Sequence, residues 1–318
     1  MGLRRFIIKR VLLTIPILFG VSVVTFGLVH LTPGDPIDVL VSFNPDVGPT
    51  QEAELRERYG YDLPVWEQYI RWITNVLQGD LGPVITRAGV SVNDVIAARL
   101  PETIALGLFG WAFAIIISIP TGIYAAVRKG ELGDHVSRIV ALSGISIPNF
   151  WLGLMLILLG ALWLNWWPVL APRKPLFHPE MLWYLILPGL TIGTASSATL
   201  MRIMRSSMAE ELNKEYVTAA RAKGLPERTV ILKHVLRNSL ISVTTVAAFL
   251  TANILAGSVV VETVFSWPGL GRELVQAALR REVNLIMAIT LLVGFVIIVM
   301  NLLADIVYAV LDPRIRYD

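Results

Sequence analysis

The chain has 318 residues, 55% of them hydrophobic and only 16% charged, where soluble domains carry about 25% charge. So much apolar sequence exceeds what one soluble core needs and suits a protein solvated by a bilayer. A net charge of +3 is too small to point to nucleic acid, and the absence of cysteine excludes disulfides and thiolate metal sites.

Apolar runs of about 18 or more residues with few charges are spanning-helix candidates, and about six stand in this chain. The first, Val11 to Leu31, follows Arg4, Arg5, Lys9 and Arg10. It is longer than the roughly 7–15-residue core of a signal peptide and no A-x-A site follows, so it reads as a span. The second runs from about Thr103 to Val127 with Pro120 inside, and the third from Ile139 to near Trp163. The fourth is about Leu182 to Met201 with Pro188 and Gly189 inside, the fifth Ser239 to Val261, and the sixth about Val283 to Ala304, continuing past Asp305 to Leu311. Neighbouring helices re-satisfy backbone groups freed at such internal Pro and Gly positions.

An even number of spans puts both termini on one face. That face then holds the basic N-terminus, Arg128, Lys129 and Arg138, the 202–238 segment, Arg314 and Arg316, together seventeen of the 27 Lys and Arg residues. The positive-inside rule makes it the cytoplasmic face.

The segment from Thr32 to Pro101 then lies outside. It is acidic on balance, with ten Asp or Glu against five Arg. Pro33-Gly34-Asp35-Pro36 reads as the turn ending the first helix. From Val65 to Leu77 apolar residues recur at helical spacing. They predict a short helix lying at the membrane interface or on the spans, or else part of a platform that receives an external partner.

The 202–238 segment contains EYVTAARAKGLPERTVILKHVLRN. Glu215 through Lys223 is a strong helix former, with Glu210, Glu211 and Glu215 toward its start and Arg221 and Lys223 at its end, as the helix dipole prefers. Gly224 is placed to stop it and Pro226 prevents continuation. Ala219 and Ala220, with Gly224 beyond, give a narrow surface that another protein's groove can approach closely; spacing alone equally fits a helical hairpin that solvates a basic face. Between the fifth and sixth runs, Ser266-Trp267-Pro268-Gly269-Leu270-Gly271 reads as a rigid turn after Glu262, and Arg272 through Arg281 as a short amphipathic helix. This loop fits a cap, an outer gate or a partner contact.

Several chemistries find no support. There is no G-x-x-x-x-G-K-[ST] nucleotide loop and no H-E-x-x-H, and His30, His135, His178 and His234 are scattered. Within the runs ionisable residues are nearly missing, Asp305 being the clearest, and no internal repeat is visible, which disfavours a self-contained secondary carrier or channel. Ser146, near Pro148, has no intramembrane histidine to activate it, which disfavours an intramembrane hydrolase.

The segment Thr218-Ala219-Ala220-Arg221-Ala222-Lys223-Gly224 resembles the EAA---G coupling motif of permease subunits in bacterial and archaeal ABC importers. With KHVLRN it is similar to the dipeptide/oligopeptide/nickel branch, and so are HLTPGDP, YGYDLPVWEQYIRWITNVLQGDLG and VETVFSWPGLGRELVQAAL. The long segment after the first run resembles the "B" permease of that branch. Departures are Thr218 at the acidic position of the motif, Ser242 near a usual proline, GDLGPVITRAG without the serine that often follows GDLG, and Arg281-Glu282-Val283-Asn284 in place of a basic-Asp-x-Pro stretch.

The resemblance implies an all-α membrane protein of the type I importer permease fold. It implies a cytoplasmic N-terminus and first span over 1–31, an extracytoplasmic segment over 32–101, and a permease domain over 102–318 with the coupling loop at 202–238. It further implies a heterodimer with a second permease subunit, two cytoplasmic ATPase domains that alone bind ATP and magnesium, an extracytoplasmic substrate-binding protein, and no catalysis in this chain. The expected ATPase-coupling surface is Glu215, Ala219, Ala220, Arg221, Lys223 and Gly224, with Arg221 and Lys223 pairing to carboxylates on the ATPase. Pathway candidates are Thr244, Thr245, Thr251, Asn253, Gly257 and Ser258, although such small and polar residues also hold helices together. Candidates for an outer gate or binding-protein contact are Glu262, Trp267, Pro268, Gly269 and Gly271. Peptides are the expected cargo, with nickel, sugars and other small solutes carried by relatives.

Overall fold

The computed structural model describes the backbone of residues 3–43, 47–168, 170–172 and 174–311, and the side chains of these except residues 3–7, 9, 43, 252–257 and 307–311. Helix α1 (Leu3–Leu31) carries the first apolar run and ends at the predicted turn. α2 (Pro36–Phe43) begins with proline, and Asp35 caps it by accepting from the amides of Ile37 and Asp38 at 2.9 and 3.0 Å. α3 (Pro49–Tyr59) is polar and is tied back by Arg56, which reaches Asp35, Asp38 and Glu52. α4 (Val65–Leu77) has the bounds that the apolar spacing predicts.

α5 (Val92–Val127) begins well before the predicted Thr103. Its start is set by a cap, the Ser91 hydroxyl accepting from the Asn93 amide at 3.2 Å, and not by hydropathy. The third run is broken. α6 (Leu132–Ser146) and α7 (Asn149–Ile157), the latter continued by a π-helical segment over Leu158–Trp163, are bent by 103°. Pro148 donates no amide hydrogen bond and holds Ile147 extended (φ −79°, ψ 124°), so the helix cannot pass straight through.

α8 (Pro179–Tyr184) leads into α9 (Ile186–Glu211), which runs past the predicted Met201 into charged sequence. α10 (Glu215–Ala222) and the single turn α11 (Glu227–Thr229) precede a π-helical segment, Val230–Val235, that opens into α12 (Leu236–Val264). α13 (Leu270–Leu279) starts slightly earlier than predicted, capped at Gly269, and α14 (Val283–Leu311) covers the sixth run. Among the described residues four helices are long and apolar enough to cross a membrane, or five when the bent pair counts as one span. The fifth run falls on α12, part of whose side chains lie outside the described residues.

The chain divides into two compact units, one built mainly from Ile104–Trp267 and the other from Lys9–Thr103 with Pro268–Val296. In the first, α5 and α9 approach so closely that a Cβ on Gly193 would lie 2.5 Å from the Gly110 carbonyl oxygen, so glycine is required there. One core of this unit is aromatic: the Trp167 and Tyr184 rings stack at 4.3 Å, Trp267 lies parallel to Tyr184 at 6.2 Å, and the Tyr184 hydroxyl donates to the Phe265 carbonyl. Another is aliphatic, with Met204, Met208, Val217, Val230 and Val235 all fully buried. In the second unit, Phe26, Trp72 and Met287 form one core, and α4 is docked on α1 through a 2.8 Å hydrogen bond between the Tyr69 and Ser22 hydroxyls. Val65, Trp66, Ile70 and Leu77 remain on the open side of α4. α4 thus packs on a span, as one of the two sequence readings expects.

Candidate coupling surface and its supports

α10 is a short two-sided helix. Val217 and Ala220 face inward and pack with Met204, Met208, Val230 and Val235, so burial on one side fixes its position. Glu215, Ala219, Arg221, Lys223 and Gly224 are exposed together, whereas Ala220 is turned away from them. Gly224 takes φ +74°, the left-handed conformation that ends a helix most cheaply at glycine. Its amide bonds the Arg221 carbonyl at 2.9 Å and the Leu225 amide bonds that of Ala220 at 3.4 Å. A Cβ at Gly224 would meet nothing within 4 Å. The junction with α9 is held by Glu211, which accepts from the Tyr216 hydroxyl at 2.6 Å and pairs with Lys214.

Arg221 is already engaged within the chain. Its Nε and Nη2 donate to the two carboxylate oxygens of Glu227 at 3.1 and 2.6 Å, a bidentate pair across the Gly224-Leu225-Pro226 turn. That bond holds the Glu227 carboxyl below its usual range and the Arg221 guanidinium above its own. Since the carboxyl is depressed in the folded state, the pair's contribution is complete above the ordinary carboxylate range and is lost as pH falls through the lowered value. Both side chains are about half exposed, so the pair orients more than it stabilises. Sequence reading passed over Glu227, although its position just after the Pro226 stop places it at the turn.

A second support lies in the same unit. Asp134, in the first turn of α6, is 1% exposed and accepts from Arg205 Nε and Nη2 of α9 at 2.6 and 2.8 Å, and from the Gly130 amide at 3.0 Å. The pair clamps the start of α6 to the end of α9 just before α10. The partners are separated by 71 positions, so no local pattern announces them.

On α12, the Thr244, Thr245 and Thr251 hydroxyls donate to carbonyls one turn earlier, at 2.7, 3.0 and 2.9 Å. Thr251 also accepts from Trp111 Nε1 of α5 at 2.7 Å, so it joins two helices. Ser258 is 1% exposed, and the surroundings of Asn253 and Gly257 lie outside the described residues. Glu262 and Trp267 are fully buried in this unit, and the Trp267 amide bonds the Glu262 carbonyl at 2.8 Å. Neither side chain presents a surface to a partner in this structure.

The model of the "binding-protein-dependent transport system inner membrane component" family matches residues 118–317, and the model of its N-terminal companion matches 3–107. The chain belongs to this family of membrane permeases. It is 39% identical to the oligopeptide transport system permease protein AppB of Bacillus subtilis, over 98% of this chain and 99% of the relative. It is 37% identical to the dipeptide transport system permease protein DppB of Escherichia coli over the same shares, and 38% identical to the di/tripeptide permease DppB of Pseudomonas aeruginosa over 98% of each. A chain of the MetNI methionine ABC transporter, in an inward-facing conformation, shares the fold at a TM-score of 0.53 and 15% identity, over 69% of this chain and 96% of that one. The resemblance read from the coupling segment therefore holds: the chain is a multi-pass membrane permease subunit of an ABC importer, with the type I permease fold.

The permease's second unit brings together the departures at 79–89 and 281–284. Glu282, 1% exposed, accepts from the amides of Ile85 and Thr86 at 3.0 and 2.5 Å, and Asn284 donates to the Pro83 carbonyl at 3.1 Å. On α13, Glu273 pairs with Arg87 at 2.9 Å and Arg99 at 3.4 Å. The Leu270 amide donates to the Thr103 hydroxyl at 2.8 Å. Gly269 and Gly271 are buried and Pro268 half-buried, so this end of the loop caps α13. Burial pushes the nearby Tyr61 phenol upward, with the Glu282 and Asp35 charges adding to the effect. Replacing Glu282 with alanine strands the buried Ile85 amide and the partly buried Thr86 amide; an expected loss of about 2 kcal/mol in unfolding free energy is measurable by thermal unfolding in detergent.

Proposed function

We propose that this permease imports peptides, forming half of a pathway completed by a second permease subunit. Two separate ATPase subunits bind ATP and magnesium and perform hydrolysis, and an extracytoplasmic binding protein delivers the cargo. Both termini and α10 lie in the cytoplasm, and residues 32–101 lie outside. The peptide assignment is supported by the relatives, which are named as oligopeptide, dipeptide and di/tripeptide permeases.

The observation that carries the coupling assignment is the open half of α10, anchored through Val217 and Ala220 and ending at a glycine with free space around it. Closure of the ATPase pair pushes this face, and the anchored side passes the push to α9 and α12. In that scheme Glu215, Ala219, Lys223 and Gly224 touch the ATPase, Ala220 is the anchor, and Arg221 either remains with Glu227 or exchanges it for a partner carboxylate. The pathway runs beside α12, with Thr244, Thr245, Thr251, Asn253, Gly257 and Ser258 on or near its wall. Glu262 and Trp267 serve an outer gate as its packed frame, and Pro268, Gly269 and Gly271 as the cap of α13.

The test is ATP-dependent uptake by the assembled transporter in proteoliposomes, with binding protein present, against panels of di- and oligopeptides, nickel and sugars. Accumulation of peptides supports the reading. Accumulation of nickel or a sugar with no peptide uptake overturns the substrate assignment while leaving the family untouched.

A further inference from the structure

A cavity of about 560 Å³ opens between α6 and α9 in the first unit. Its lining divides by chemistry. His135, Arg138 and Arg202 are exposed at one end, and Ile139, Leu142 and Ile145 stand exposed along the wall. No carboxylate lines it. The acid nearest in sequence, Asp134, is buried and bonded to Arg205 and the Gly130 amide, which takes up Arg205; Arg138 feels its charge only at longer range, and Arg202 has no part in it. Among the described residues neither of those two arginines forms an ion pair. A second cavity of about 250 Å³, lined by Val140, Gly144 and Ala198, shares Ala141 and Met201 with the first.

The basic end falls where both helices change character. Arg138 is followed by apolar Ile139 to Leu142 on α6, and Arg202 directly follows the apolar run of α9. In a membrane-embedded helix pair that level is the headgroup region, where arginine is stable and anionic headgroups collect. A soluble anion would use the charges and leave the apolar wall bare. A lipid uses both.

We propose that this cavity is a binding site for one anionic glycerophospholipid. Its phosphate is held by Arg138 and Arg202 with His135 at the edge, and an acyl chain lies along Ile139, Leu142 and Ile145. The site rests on the chain's embedding in a bilayer and not on the peptide reading. The occupied cavity wedges α6 against α9 beside the Asp134–Arg205 clamp, so the lipid steadies the helix end that feeds α10.

The test uses the complete transporter in detergent, exposed to phosphatidylglycerol or phosphatidylcholine and weighed by native mass spectrometry. Wild type is expected to retain phosphatidylglycerol about thirtyfold better than R138Q/R202Q, in line with the attraction of two basic residues to an anionic leaflet. R138K/R202K is expected to keep most of that preference, and phosphatidylcholine retention to be equal in all three. Equal phosphatidylglycerol retention by wild type and R138Q/R202Q overturns the site. So does protection of Leu142→Cys, in this otherwise cysteine-free chain, from a lipid-soluble maleimide by the second permease subunit, since a protein then covers the wall.

Discussion

Uptake by a transporter carrying Gly224→Trp is expected to fall about tenfold or more, equivalent to a contact worth ~1.4 kcal/mol or greater, while the amount of permease in the membrane stays at the wild-type level. The argument has two separable parts. A bulky residue at φ +74° is strained by about 1–2 kcal/mol, a cost internal to the chain. No atom of this chain lies within 4 Å of a Cβ placed there, so the side chain leaves into open space on the face offered to a docked partner. Asparagine tolerates the left-handed conformation and is short, so Gly224→Asn separates the parts. Peptide uptake in cells and ATP hydrolysis in proteoliposomes are the two measurements. The assignment predicts that Gly224→Asn transports and that Gly224→Trp does not. Equal loss in both variants assigns the effect to the backbone, and wild-type uptake by Gly224→Trp removes α10 as the lever.

Asp134→Ala is expected to be the most destabilising single change in the first unit that leaves the apolar cores intact. It strands the Arg205 guanidinium and deprives the Gly130 amide of its acceptor. Breaking a buried pair from one side costs about 3–5 kcal/mol, and because a fifth of the Arg205 side chain reaches solvent the lower end, about 3 kcal/mol, applies. The double replacement Asp134→Leu/Arg205→Met removes both charges and is expected to recover most of that loss. Thermal unfolding in detergent of the two singles and the double gives the coupling directly. A cost for Asp134→Ala below about 1 kcal/mol would mean that water already covers the pair.

Features that depend on neighbours in sequence were legible, and those that depend on distant partners were not. The helix over Val65–Leu77 follows from apolar spacing, and the stop at Gly224 from glycine followed by proline. Ser91 was passed over because its cap starts α5 in polar sequence, outside any hydropathy window. Pro148 lies inside an apolar run, where hydropathy does not separate a tolerated proline from a break, and here the chain turns by 103°. On the candidate site, the two sides of α10 could not be told apart while Met204, Met208 and Val230 were unplaced, so Ala220 looked like surface. Trp267, in a turn sequence that suggests exposure, is drawn inward by stacking with Tyr184. Arg205 and Glu282 are charged residues whose partners lie 71 and 197 positions away, and nothing local marks them as structural.

The hydrogen bonds from Ile85 and Thr86 to Glu282 bear on how the molecule is made. The ribosome releases the two amides nearly two hundred residues before their acceptor. At about 5–20 residues per second, an interval of roughly 10–40 s passes in which the 79–91 loop can make its own bonds, Val84 to Val90 and Val92 to Gly82, but has no acceptor for Ile85 and Thr86. That stretch of nascent polypeptide must stay hydrated, or be shielded by the insertion machinery, until α13 and the start of α14 arrive. Completion of the second unit therefore waits for the residues around 282, and a product cut short before them would leave the Ile85 and Thr86 amides without their acceptor.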